Sequence, residues 1–333
     1  MNVRFKNIFG SITIAKFAFF ILGICVIVAL FIKPFLHYNF QQTGFLTGLN
    51  FFKGFTAYPG GIADYLALFI SQFFMFNSLG SFLIVAVASV QGFLALDMVR
   101  RLAGDVKLRF TIFALIVIFG IMVMCDYRYP YYASIRLLFA FIFTWFFCLI
   151  NSKHPKFSAV IWFLLAGLLF YLASGAALFV FTLSTVLIFL ITNKQRLWLS
   201  FIPVFLAIAG LLPYLGYKFL FQMSLGNLCK ITMVRPPAML TYSPDISLYI
   251  CYSLLPAIIL AVLFFRRFPA KVSDSTVKQK VPAPKSSFFL QLAFFFSIEF
   301  VACSLLGYFL ILKSVDPLKQ NLLTIEYYAE HEQ

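Results

Sequence analysis

The sequence predicts an all-α fold, a polytopic transmembrane helical bundle of about nine spans with its N-terminus inside and its C-terminus outside. Three observations carry that expectation. Of 333 residues, 62% are hydrophobic and only 11% are charged, with a mean hydropathy of +0.96. That is too little polar surface for a soluble chain of this size. The apolar residues gather into runs of about twenty or more, enough to cross ~30 Å of hydrocarbon at helical rise. The basic residues sit in the links between those runs, and 17 of the 26 lysines and arginines fall in predicted inner segments. The formal charge of +15 therefore reads as topogenic charge, with no nucleic-acid partner.

Each element follows in order. Arg4 and Lys6 precede an apolar run from Ser11 to Ile32, too long for a secretory leader and read as an uncleaved first span starting inside. Lys33 to Gly61 forms the first outer loop. The apolar stretch after Asp64 reaches Leu96, too long for one crossing, so a break is expected at NSLGS, Asn77 to Ser81. It would separate an interfacial helix near 62–76 from a second span near 80–98. In the interfacial helix Asp64, Ala67 and Ser71 share one side, leaving Phe69, Ile70, Phe73 and Phe76 toward lipid.

Arg100, Arg101, Lys107 and Arg109 mark an inner link. Short third and fourth spans follow near 110–125 and 134–150, joined by DYRYPYYASIR, Asp126 to Arg136. This link reads either as sunk at the membrane surface around a wet cavity or as an aromatic belt with two anchoring arginines. The run from Phe157 to Thr192 is basic at both ends, which calls for two passes with a tight outer turn near Ser174 and Gly175; one long kinked helix is the competing reading. A seventh span near 198–215, a large outer loop from Gly216 to Ser247, an eighth span near 248–265, a basic flexible link and a ninth span near 288–312 complete the membrane domain, residues 1–313. From Pro317 the chain becomes an amphipathic helix with Leu318, Leu322, Ile325 and Ala329 in register. Residues 314–333 thus read as the start of a soluble outer region that continues beyond this sequence.

The stretch with most chemical content is YPGGIADYL, Tyr58 to Leu66. Pro59, Gly60 and Gly61 turn the chain sharply, and Asp64 falls in the first turn of the following helix, where the dipole favours a carboxylate. Asp64 reads equally as a helix-start residue. On the outer face it is grouped with Asp126, Arg128, Arg136, Lys230, Arg235 and Asp245. Such a set suits a phosphate-bearing lipid, with Arg128, Arg136, Lys230 and Arg235 on the phosphate, Asp64 as general base, and Tyr58, Asp126 and Asp245 in support. It is equally compatible with ion pairs between loops. Glu299, near the middle of the ninth span, reads as a proton-handling group or a polar contact between helices, and the contact is preferred because no second intramembrane charge accompanies it.

No HExxH, CxxC, GxSxG, Walker A or GxGxxG motif occurs, which argues against a zinc enzyme, serine hydrolase or nucleotide-driven pump. No cofactor is called for, and although a divalent metal is compatible with the chemistry, no residue pattern supports one. The six cysteines lack paired spacing and read as buried thiols; only Cys125 and Cys229 lie near outer loops where a bridge is conceivable.

A first span, an acidic outer loop with interfacial helices, many further spans and a second large outer loop together resemble the GT-C class of membrane glycosyltransferases. That resemblance implies a polyprenyl-phosphate-linked sugar donor and a catalytic acid in the first outer loop, at Asp64. The Asp-X-Asp or paired acidic motif of many such enzymes is missing. FFKGFTAYPGGIADYLALFISQFF, Phe51 to Phe74, with DYRYPYYAS, Asp126 to Ser134, also resembles an uncharacterised family of bacterial multi-pass inner-membrane proteins, in which a membrane region precedes a soluble helical domain. The functional expectations are a lipid-linked sugar transferase, or a non-catalytic anchor presenting an outer helical region to envelope partners; a transporter centred on Glu299 comes third.

Overall fold

A computed structural model describes residues 3–41, 44–104, 108–127, 129–153, 157–174, 176–192, 211–212, 214–221, 224, 246–267 and 285–331. Every regular element among them is helical: α1 Val3–Ile27, α2 Pro34–Gln41, α3 Leu49–Thr56, α4 Gly61–Ser71, α5 Asn77–Ala103, α6 Arg109–Met122, α7 Tyr132–Lys153, α8 Ser158–Leu172, α9 Ala176–Thr192, α10 Ile246–Arg267, α11 Lys285–Ser314 and α12 Pro317–His331. Three of them are long and apolar enough to cross a membrane, at Ala15–Ile32, Asn77–Ala103 and Tyr132–Ser152. A fourth arises if the bent pair Glu299–Ser314 and Pro317–Glu326, at 64°, counts as one.

α5 is the central post, packing along α6 and α7, with α1 and α10 also against it. Its inward side carries Gly80, Ser81, Ala88, Gly92 and Ala95, all buried. Small residues allow this closeness: a Cβ on Gly92 would stand 2.7 Å from the Phe113 ring of α6. Its outward stripe of Leu79, Phe82, Val90 and Phe93 is exposed, as expected of a helix flank facing hydrocarbon.

NSLGS is not a loop. The break before α5 is the single extended residue Phe76 (φ −96°, ψ 107°), preceded by a 3₁₀ turn over Gln72–Met75. The polar and small residues begin the helix because they make contacts. Asn77 donates to the Ala29 carbonyl at 2.8 Å, and a Cβ on Gly80 would lie 2.8 Å from Pro34. On α4, Ala67 and Ser71 are buried and Phe69 is exposed as the spacing predicts, as is Phe76 at the break, but Ile70 packs on the core.

The 157–192 run forms two helices, separated at Ala173 and Ser174, with Ser174 at φ 39°. Trp162 donates its indole N–H to Thr185 at 2.7 Å and stacks on Phe181. The Trp162–Thr185 bond straddles the turn symmetrically, so α8 and α9 form an antiparallel hairpin and the single kinked helix is excluded. Cys25, Cys125, Cys148, Cys251 and Cys303 are free thiols, and Cys229 lies outside the described residues.

Candidate functional site

The elbow before α4 is built by contact as well as by turn chemistry. Gly60 takes φ 84°, and its amide donates to the Tyr171 carbonyl at the end of α8 at 2.9 Å. A Cβ there would lie 3.0 Å from the Ala173 carbonyl oxygen, and one on Gly61 would fall 1.8 Å from that of Phe55. The two glycines thus let α3, α4 and the α8–α9 turn meet.

This seating aims Asp64 at α7. Arg136, one turn into α7, donates Nε to Asp64 Oδ1 at 3.0 Å and Nη2 to Oδ2 at 2.8 Å, a bidentate pair. The Tyr58 hydroxyl also donates to Oδ2, at 3.1 Å. Both charged side chains are mostly enclosed, with 16% of Arg136 and 13% of Asp64 exposed. Burial pushes the Asp64 carboxyl above its ordinary value, and Arg136 and the Tyr58 hydroxyl draw it part of the way back. Burial and the neighbouring carboxylate raise Tyr58 as well, so its O–H stays a donor. The Arg136 guanidinium lies 4.6 Å over the Tyr132 ring. Tyr132 escaped the sequence reading although its i,i+4 spacing to Arg136 signals the contact.

Of the other residues expected here, Asp126 lies on the same end of the bundle but joins a different group. It accepts from Lys319 of α12 at 3.0 Å. Arg128, Lys230, Arg235 and Asp245 lie outside the described residues. Within the Asp126–Arg136 link Tyr127, Tyr129 and Tyr131 are buried and pack on protein instead of facing a wet cavity. Tyr127 donates to the Ile32 carbonyl at 2.8 Å, Gln41 donates to the Tyr127 and Tyr129 carbonyls, and Tyr131 meets Phe74 edge-on. Beside them, His37 is buried and its Nε2 shares a 2.6 Å hydrogen bond with the Met124 carbonyl. Gln41, His37 and Lys319 had no local signal, since each partner is far along the chain.

Glu299 meets the start of α6, where its Oε1 accepts from the Thr111 amide and hydroxyl. It therefore stabilises the positive end of that helix as well as joining α11 to it. Asp97, passed over in the sequence, accepts at Oδ2 from Arg101 Nε at 2.6 Å and from Trp145 Nε1 at 2.7 Å. Among the described residues, no three His, Cys, Asp or Glu side chains gather as a metal site.

These helices define an all-helical protein with segments able to cross a membrane. The chain belongs to a family of unknown function, DUF6057, whose profile matches residues 9–333. No curated protein and no solved structure matches it.

Proposed function

We propose that this chain is a multi-pass protein of the bacterial inner membrane, with about nine crossings and its N-terminus inside, acting as a non-catalytic anchor whose outer end presents the C-terminal helix to envelope partners. One observation carries the choice of anchor over enzyme: both Asp64 oxygens are engaged by Arg136, with Tyr58 on Oδ2. A general base needs a free lone pair facing its substrate, and a phosphate ligand needs a free guanidinium fork. Here the Arg136 fork and the Asp64 carboxylate face each other, tying the interfacial α4 to the long α7. Orientation is supported by charge: Arg100, Arg101 and Arg109 cluster at the end opposite the Asp64 elbow.

The transferase is kept as a second reading because the pair is not sealed from solvent and Asp64 follows the segment read from the sequence as the first outer loop. In that reading Arg136 swings onto the donor phosphate and frees Asp64. The acceptor hydroxyl oxygen then bonds to the anomeric carbon, its proton passes to Asp64, and polyprenyl phosphate leaves with the electrons of the broken C–O bond. The transporter reading is not advanced, since Glu299 is held by Thr111.

Asp64→Asn, Arg136→Gln and the exchange Asp64→Arg with Arg136→Asp separate the two. For the anchor, both single variants lower folded yield and the exchange restores it, with envelope glycans unchanged wherever protein is present. Normal yield of Asp64→Asn with lost glycans would instead establish the enzyme.

A further inference from the structure

α12 is seated against α2 by its polar side. Lys319, Gln320, Leu323 and Thr324 on that side are half-buried, while Leu318, Leu322 and Ile325 point away and are 75%, 61% and 65% exposed. Apolar burial, the usual source of helix docking, is therefore small here. Two polar links carry the contact: Lys319 Nζ to Asp126 Oδ1 at 3.0 Å, partly open to solvent, and Gln320 to the Phe31 carbonyl at 2.8 Å.

Beneath that contact lies a histidine with one unmet nitrogen. A carbonyl only accepts, so the His37 Nε2 that meets Met124 donates, and the neutral ring is left with a bare Nδ1. Nδ1 is buried with no partner among the described residues, so a second proton there creates a buried charged donor with nothing to accept from it. The His37 ring lies 4.8 Å from that of Tyr127, and Lys319 Nζ stands 5.8 Å from the same Tyr127 ring and 5.3 Å from Phe40. His37, Tyr127, Asp126 and Lys319 thus form one cluster. The 3₁₀ turn 72–75 and the start of α5, also packed on α2, bring no titratable side chain to it. The 123–129 segment brings Cys125, Asp126, Tyr127 and Tyr129, α12 brings Asp316 and Lys319, and α2 has Tyr38 with Lys33 just before it; Arg128 lies outside the described residues. Of the described groups, Asp126 and Lys319 act on the imidazole, with opposite signs.

We propose that this cluster is an acid-operated latch, in which a proton on His37 Nδ1 turns Asp126 from Lys319 to the imidazolium and releases α12 from α2. The imidazolium repels the ammonium and attracts the carboxylate, and undocking α12 admits water that accepts from Nδ1. α12 is the element that gives way, because Met124 and Tyr127 on the ring's other side are buried. The use of the release, admitting a partner to the face of Lys319, Gln320, Leu323 and Thr324, rests on the anchor reading above. The release itself does not, and the Asp64 and Arg136 variants test the anchor at constant pH.

The test is amide exchange of the purified full chain in detergent at pH 7.5, 5.5 and 5.0, with rates corrected for their intrinsic pH dependence. Burial holds the docked imidazole down to about 4, and release returns it toward 6.5, so the released form binds more protons as pH falls between them. Opening over residues 317–331 should rise about tenfold at pH 5.5 and about thirtyfold at pH 5.0 relative to pH 7.5, with α5 to α7 still protected. His37→Gln keeps a donor for Met124 and takes no proton, so its exchange should not vary. If that variant folds poorly, linkage supplies a reciprocal reading in Lys319→Gln with Gln320→Ala: with α12 already loose, the His37 ring should titrate by NMR above its wild-type midpoint. Equal exchange at all three pH values, the same acid response in His37→Gln, loss of α5 to α7 protection in step with α12, or an unmoved His37 midpoint in the double variant would each overturn the latch.

Discussion

The Gly60 amide donates to the Tyr171 carbonyl at 2.9 Å, so the elbow that aims Asp64 is seated on the turn between α8 and α9. Gly60→Ala must hold a side chain at φ 84° and press it to 3.0 Å from the Ala173 carbonyl oxygen. The expected cost is about 2 kcal/mol. Gly61→Ala is worse, because its Cβ would stand 1.8 Å from the Phe55 oxygen and the backbone has to move. About 3 kcal/mol or more is expected. Thermal unfolding in detergent should rank wild type above Gly60→Ala above Gly61→Ala; a neutral Gly61→Ala would disprove the seating.

The Asp64–Arg136 pair makes a prediction with a sign in pH. Arg136→Gln leaves a mostly buried carboxylate without its cation, costing about 3 kcal/mol near neutrality. Burial already raises the Asp64 carboxyl, and loss of the guanidinium raises it further. A group with a raised folded pKa favours folding at low pH and loses that contribution as pH rises through the folded value. The deficit of Arg136→Gln relative to wild type at the same pH should therefore shrink between pH 7 and pH 5. A pH-independent deficit would mean that lost packing against Tyr132 dominates.

What could be read from the chain was local or topogenic. Pro59, Gly60 and Gly61 announce a turn because their backbone preferences act whatever surrounds them. The α8–α9 hairpin followed from basic flanks and a run too long for one crossing. Asn77 to Ser81 misled because small polar residues that mark a loop in water serve helix packing in an apolar bundle, here against Ala29, Pro34 and Phe74. Asp64, Asp126 and Arg136 fall in one outer group in the sequence and Lys319 does not, and neither pairing is legible there. Arg136 is 72 residues from Asp64 and Lys319 is 193 from Asp126. No periodicity spans such separations, so only the fold could assign them.

The docking of α12 predicts a local, not a global, effect. Lys319 reaches Asp126, Gln320 donates to the Phe31 carbonyl at 2.8 Å, and Asp316 accepts from the Leu318 and Lys319 amides. The ion pair is partly solvated and is worth about 0.5 kcal/mol. Lys319→Gln with Gln320→Ala should speed amide exchange over residues 317–331 severalfold while α5 to α7 keep wild-type protection. Unchanged exchange would show that apolar contact with α2 alone holds the helix.

His37 is expected to make the end of the bundle around α2 acid-sensitive. Burial lowers its pKa to about 4 from 6.5, outweighing the Met124 carbonyl and the Asp126 carboxylate that favour the charged ring, while Lys319 opposes it. The unfolded chain therefore binds more protons between those values, and stability is present above pH 6.5 and drains away as pH falls toward 4. The full loss is about 3 kcal/mol. His37→Phe forfeits the bond to Met124 and is less stable at pH 7, but its stability should be flatter from pH 6.5 to 4. Melting curves across that window check it: equal slopes in wild type and variant would place the acid sensitivity on other groups.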